Sequence, residues 1–451
     1  MKRYLRLALI AVVLGLGLLL ASCASLNELI FPEQAALEKE REVRDVQRQE
    51  GRVEQPESVE TLIDPAAKPE LKGRRANLLV VGDVLMHIPL INGAEQADGS
   101  YDFAYSYRYV AEEIAAADYA AFNMEGTLAG EPYEGYPIFS APDILAPTMK
   151  DLGFDLAFAA NNHCMDRGVE GVIQTAKKLK AAGLDLVGTR EKAEDTPYVL
   201  KEINGLKLGF INFTYETDRL DGMRSLNGIP IPPEGEPLID SFSQQRYPED
   251  YMGQDLKKIA DRIAQLKKEN PDFIIALMHW GDEYFTTSND LQKEIAKHLA
   301  TQGVDLIVGA GPHVAQEVVK IPRPDGGETL CYYSLGNFIS NQQFDTADNG
   351  GYAEDGLIAL IQFESNIKGE KKISKAGYMA TYCFKIHPAN DTTYATLMPL
   401  VKALENPSEY QLEGGEQLLQ SSAQRIKEVM SQNSPDIQAY RSVQDFIGKQ
   451  E

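Results

Sequence analysis

The stretch Asn77-Leu78-Leu79-Val80-Val81-Gly82-Asp83 decides how the chain reads. Four large apolar residues run straight into a glycine and a carboxylate, the pattern of a buried strand ending at a polar rim. Upstream, from residue 24 to about 75, the sequence is charge-rich and lacks apolar periodicity. Downstream the same punctuation recurs. The run 119–122 ends in Asn123-Met124-Glu125-Gly126, and 156–160 ends in Asn161-Asn162-His163, with Asp166 and Gly168 beyond. The run 273–278 ends in His279-Trp280-Gly281-Asp282-Glu283-Tyr284, and 306–308 in Gly309-Ala310-Gly311-Pro312-His313. Tyr332-Tyr333 leads into Ser334-Leu335-Gly336-Asn337-Phe338. Amphipathic helical patterns at 105–116, 171–182, 254–268 and 291–302 lie between the runs. This alternation predicts an α/β fold with helices on both faces of a sheet. Antiparallel strands are expected from Thr329 onward, at 330–334, 357–363 and 373–386.

In an open α/β sheet, ligands bind in the crevice beyond the carboxyl ends of the strands. Six segments therefore converge on one rim, and four of the six histidines (His87, His163, His279, His313) lie in them. The other two, His298 and His387, read as structural or solvent-exposed. Asp83, Glu125, Asn162, His279 and His313 offer carboxylate, amide and imidazole donors without a thiolate. That mixture suits Mn, Zn, Fe or Mg, as one or two ions, rather than a structural zinc site. His163 follows Asn162 directly and has Asp166 three residues on to hold its ring, so general acid is its natural role. Each piece alone has a blander reading: Gly-Asp after a strand is common, Asn-Asn can cap a helix, and His-Trp-Gly can be packed core. Cys164 reads as a small buried side chain, and Trp280 as either packing or a stacking surface for substrate. Ser334 has no paired base and is not a nucleophile candidate.

The composition bounds the partners. There are 44 Lys or Arg against 67 Asp or Glu, a formal charge of −23 at pH 7. That balance argues against nucleic acid, whose binding rests on clustered cations, and against adhesion to anionic headgroups. Membrane contact is expected from the N-terminus instead. Lys2, Arg3 and Arg6 precede an uncharged apolar run over 7–20, then Leu20-Ala21-Ser22-Cys23. The run is short for a spanning helix and suits a secretory signal, and its last four residues resemble a bacterial lipobox. The reading is a lipoprotein signal peptide over 1–22, lipidation of Cys23, and a charged tether over 23–75. A plain signal peptide or an uncleaved anchor is the alternative. Residues 76–400 form the main domain and 401–451 an acidic, helix-prone tail. Cys164, Cys331 and Cys383 show no CxxC spacing for zinc or redox work, and three cysteines leave at least one free, which excludes a disulfide-built fold and leaves one unassigned bridge open.

The six rim motifs, in order from about residue 77 to 387, resemble the CapA family of poly-γ-glutamate capsule-synthesis proteins, which have a calcineurin-like metallophosphatase fold. The resemblance implies a metallophosphatase-like four-layer sandwich, two mixed β-sheets flanked by helices. It implies metal positions at Asp83, Glu125, Asn162, His279 and His313, and a catalytic His163. His87, Asn161, Glu283, Tyr284 and Asn337 are further candidates for the site. The chain departs from the pattern at Gly311, where the family reads His, and at the first strand, where an Asp-x-His is absent and His87 lies two residues further along. One ion, two, or none stay open. The implied role is capsule production on the extracytoplasmic face of the cell membrane, lipid-anchored, with poly-γ-glutamate or its membrane synthase components as partners. The alternatives are a non-catalytic component that binds polymer or synthase, and a general extracytoplasmic phosphoesterase.

Overall fold

The computed structural model describes residues 73–343, 350–387, 392–411, 415–434 and 437–448. The expected signal peptide, Cys23 and nearly all of the tether lie outside them. No helix among the described residues is long and apolar enough to cross a membrane.

The chain first lays down four parallel strands: β1 (Arg74–Leu85), β2 (Tyr119–Glu125), β3 (Leu156–Phe158) and β4 (Asp185–Val187). Between them come α1 (Ile88–Ala94), α2 (Ala104–Tyr107), α3 (Ala111–Ala115), α4 (Leu145–Asp151) and α5 (Gly168–Ala181). It then crosses to a second sheet through the hairpin β5 (Val199–Ile203) and β6 (Leu206–Tyr215). A small three-stranded sheet follows, β7 (Thr217–Leu220), β8 (Met223–Leu226) and β9 (Ile229–Pro230). The second sheet continues with β10 (Ser241–Phe242), β11 (Phe273–His279), β12 (Leu306–Ala310), β13 (Val318–Pro322) and β14 (Glu328–Tyr332). Its covering helices are α6 (Tyr251–Lys267) and α7 (Asp290–Thr301), the latter started by an Asn289/Gln292 capping box. The chain returns to the first sheet as β15 (Asn337–Ile339), β16 (Asp355–Ser365), β17 (Lys371–Ile386) and β18 (Tyr394–Pro399). There β16, β17 and β18 run antiparallel, as the sequence leads one to expect. The last elements are α8 (Leu400–Glu405), α9 (Glu416–Asn433), β19 (Gln438–Ala439) and α10 (Val443–Ile447).

Alternation along the strands makes the layers, because successive side chains point to opposite faces. Leu78 and Val80 share one buried cluster with Leu208, Phe210, Ile275, Leu277 and Val308, which is the contact of sheet on sheet. Leu79 and Val81 point the other way, into a cluster with Ala176 and Leu179 of α5. Ile274, Ala276 and Met278 do the same against Ile259 and Ile263 of α6 and Ile295 of α7. The result is helix, sheet, sheet, helix: the expected four-layer sandwich of two mixed sheets.

Two expectations are corrected, and one strand is added. The helical pattern 105–116 is two short helices, because Arg108 sits over the Tyr105 and Tyr109 rings and bonds Thr396 Oγ1 at 2.9 Å, a tertiary contact that overrides local propensity. The described part of 401–448 is not an appended tail. Leu419, Ile426 and Met430 of α9 join the inter-sheet cluster, and Val443 and Phe446 join the cluster under the first sheet's helices. Sequence reading also passed over β6, a central strand of the second sheet.

Candidate metal centre

The rim is built at the carboxyl ends of both sheets. At Gly82 the pairing of β1 with β2 shifts by a residue, and Asp83 registers with Asn337 of β15. This bulge needs glycine: a Cβ there would lie 1.9 Å from the Gly336 carbonyl oxygen. A bulge re-aims the following side chain, and Asp83 ends fully buried between the two sheets' rims. Asn123 Nδ2 donates to Asp83 Oδ1 at 2.7 Å and lies 3.2 Å from His279 Nδ1. On the other ring nitrogen, His279 Nε2 is 2.9 Å from Asn162 Oδ1 and 3.7 Å from Glu125 Oε1. His313 Nδ1 is 3.1 Å from both Asp83 Oδ2 and Asn337 Oδ1, and its Nε2 is 3.8 Å from Glu125 Oε1. All five positions expected to hold metal therefore meet. Among the described residues, the set whose ligand atoms close within 4.8 Å of one another is Asp83, Glu125 and His279. His313 stands against that set rather than in it.

The electrostatics follow from burial. Burial alone would raise Asp83, but the hydrogen bond and charge of His313, then His279 and Asn123, outweigh it and hold its carboxyl below the ordinary value. Burial also acts against the His313 imidazolium, and the Glu125 and Asp83 carboxylates outweigh it, lifting His313 to about 10. Glu125 is pushed well above its usual range, by burial first and by Asp83 next. Burial depresses His279 to about 3. Both Glu125 carboxylate oxygens are buried with no hydrogen-bond partner. A buried carboxylate left unpartnered is costly unless a proton or a cation meets it. Two carboxylates, imidazole and amide oxygen, free of thiolate, are the donors a divalent ion takes. The buried Asp-Glu-His set fits divalent metal binding.

His163 Nδ1 lies 2.8 Å from Asp166 Oδ2, which also accepts the Phe139 N–H at 2.6 Å. Its ring packs edge-on to Phe139, and the His87 ring packs edge-on to the same phenyl. His87 accepts the Asn341 N–H at 3.3 Å and is not in the closed set. Asn161 ties its own loop, donating to the Met124 carbonyl at 2.7 Å and accepting from His163 N–H at 3.1 Å. Glu283 is exposed, while Tyr284 (φ +67°) sets its ring 6.1 Å from that of His313. Trp280 is buried, and its indole N–H donates to the Tyr333 carbonyl at 2.9 Å, so it packs and does not offer a stacking face. The described cysteines are free and buried, and burial pushes the Cys164 thiol up to about 12. His298 bonds the Leu256 carbonyl and His387 bonds Thr393.

Gly311 explains its own departure. Its φ is +108°, and a Cβ there would meet the Trp280 carbonyl oxygen at 2.9 Å and His279 Nε2 at 3.1 Å. The position faces the metal set, and its N–H points at Asp83 Oδ2, 3.3 Å away. Three contributors escaped sequence reasoning as site residues. Asn123 stands two residues before Glu125 in the same motif, where the carboxylate is the stronger ligand signal. Tyr215 stacks on His279 with centroids 6.1 Å apart. Asn212 of β6 accepts the Ala160 N–H at 2.7 Å and donates to the Leu277 carbonyl at 3.0 Å, pinning the Asn161–His163 loop to the second sheet. A lone amide inside an apolar run was its signal.

Residues 77–342 match the family model described as bacterial capsule synthesis protein PGA_cap. The chain belongs to this family. The PGA_cap match spans β1 to the residues just past β15 and so contains every rim motif. The chain is 27% identical over 316 residues to the capsule biosynthesis protein CapA of Bacillus anthracis, covering 66% of each. It is 26% identical over 302 residues to the PGA biosynthesis protein CapA of Bacillus subtilis (strain 168), covering 64% of this chain and 67% of that one. The match thus spans just under two thirds of the B. anthracis relative. Among solved structures, the NAD nucleotidase of Haemophilus influenzae is similar at 12% identity and a TM-score of 0.41, over 83% of this chain and 59% of that one.

Proposed function

We propose that this PGA_cap protein acts in the synthesis, export or attachment of poly-γ-glutamate. In this reading a lipid on Cys23 holds it at the extracytoplasmic face of the cell membrane, and its rim is a divalent-metal site of hydrolase type. The single observation that carries the metal is Glu125, a fully buried carboxylate with neither oxygen hydrogen-bonded, facing Asp83 and His279. Asp83, Glu125 and His279 would hold the ion, with Asn162 and His313 beside them. Such an ion, when bound, polarises a phosphoryl or carbonyl oxygen and makes hydroxide accessible near neutral pH. The chain's own residues do the rest. Asp166 fixes the His163 ring through Nδ1, which leaves Nε2 as the atom that moves a proton to a leaving group. Asn212 holds the loop that carries Asn162 and His163, and Tyr215 covers the outer face of His279.

The test is metal content of the full-length chain after reconstitution with Mn, Zn, Fe or Mg. Stoichiometric metal is expected, with affinity reduced at least roughly tenfold in Glu125→Ala. A chain that takes up none of these ions overturns the site. Gly311, which removes one imidazole from the family's pattern, favours the second reading, a non-catalytic component that binds polymer or synthase. Asp83→Ala and His163→Ala variants that still support polymer production in the host would decide for it.

A further inference from the structure

A chain at −23 repels a polycarboxylate, so any such polymer must be met by a local reversal of charge. One cavity of about 400 Å³ supplies it. One wall is the β13–β14 hairpin of the second sheet, with Lys320 and Arg323. The other is the start of β17 in the first sheet, with Lys371, Lys372 and Lys375. Asp305 and Glu328 are its acidic lining residues, and Asp325 and Asp272 pair with Arg323 and Lys371 at its edge, so five cations meet four anions and the excess lies with the unpaired lysines. Three of the cations are held in place. Arg323 pairs with Asp305 at 2.6 Å, Lys371 with Asp272 at 2.6 Å, and Lys375 reaches the Phe446 carbonyl. Lys320 and Lys372, one on each wall, are exposed and form no ion pair among the described residues. The floor between the walls includes Phe273 and Leu330.

We infer that this cleft is a docking site for an extended polycarboxylate chain, a use that rests on the capsule reading above. Four of the five cations are lysines. Their compact ammonium charges on flexible stems suit anionic groups spaced along a flexible chain. The capsule reading makes those groups carboxylates, and competition by polyphosphate separates them from phosphates. The apolar floor suits the methylene groups between the carboxylates. Phe273 and Asp305 stand at the amino ends of β11 and β12, and His279 at the far end of β11. Six residue steps of extended strand put the cleft about 20 Å from the rim. A polymer held here is gripped at a distance from the metal centre and leaves that centre free.

The experiment uses the full-length chain and a fluorescent γ-linked oligoglutamate of about ten residues, a length that spans such a distance when extended. Binding that weakens as salt rises is expected. In Lys320→Glu/Lys372→Glu it should weaken by roughly tenfold or more, and in Lys257→Glu/Lys268→Glu, a reversal on α6 and its C-terminal cap, it should persist. Equal binding by wild type and the first double variant, or no binding by wild type, overturns the cleft. Displacement by inorganic polyphosphate at equal or lower concentration overturns its assignment to carboxylates. The capsule reading is judged separately, by polymer production in the host. Polymer production that persists when the chain is deleted from a producing host would sink that reading and leave the cleft, measured on the purified chain, standing.

Discussion

His279 shows what burial does to a single side chain. Its ring is fully buried between Asn123, Asn162 and Tyr215, and burial depresses its pKa to about 3 from an ordinary 6.5. The unfolded chain therefore binds a proton between those values that the folded chain refuses. This contribution to stability is complete above about 6.5 and is lost as pH falls toward 3. Between pH 7 and 4.5, urea unfolding of the metal-free protein should show wild type losing about 2–3 kcal/mol more than His279→Gln. Equal losses would mean that the ring is protonated in the folded chain. His313 behaves oppositely, because the Glu125 charge and a direct 3.1 Å contact with Asp83 outweigh its burial. Both histidines are visible in the sequence, and their opposite charge states are not, since each depends on which acids the fold brings alongside.

At the scale of elements, α9 matters more than its polar sequence suggests. Its Arg425 reaches Asp355 at the start of β16 through Nε at 2.6 Å and Nη2 at 2.8 Å, a two-pronged pair with the carboxylate buried. Removing one partner of a buried pair strands the other charge, so Arg425→Ala should destabilise the protein by about 3 kcal/mol. Chemical denaturation would measure it, and a loss under about 1 kcal/mol would place the pair in the range of exposed surface pairs. The strands β1, β2, β3, β11 and β12 were legible because apolar runs ending in polar clusters are a local signal. The segment holding β6 was passed over, since its run ends in Thr214 and Tyr215 without a ligand-type cluster. The acidic, Gln- and Ser-rich surface of α9 hid the Leu419, Ile426 and Met430 stripe that seats it.

For the molecule as a whole, the metal set links rim and stability, because its ligands come from both sheets: Asp83 and Glu125 from the first, His279 from the second. An ion that binds only the folded state stabilises by about 2.7 kcal/mol at a hundredfold excess over its Kd. Thermal unfolding of the full-length chain in excess Mn or Zn, against the same chain in chelator, should shift upward accordingly. Asp83→Asn should abolish most of the shift, and an equal shift in that variant would place the ion elsewhere. The sequence by itself determined the layered α/β plan and the roll of polar residues at the strand ends, because strand periodicity and chain-terminating turns are written locally. Only the tertiary structure decided which of those residues share a pocket, that Glu125 is left without a hydrogen bond, and that lysines from two sheets line one cleft on an acidic protein. Those facts depend on distances between segments far apart in the chain, and such distances are set by how the sheets pack, not by any run of neighbours.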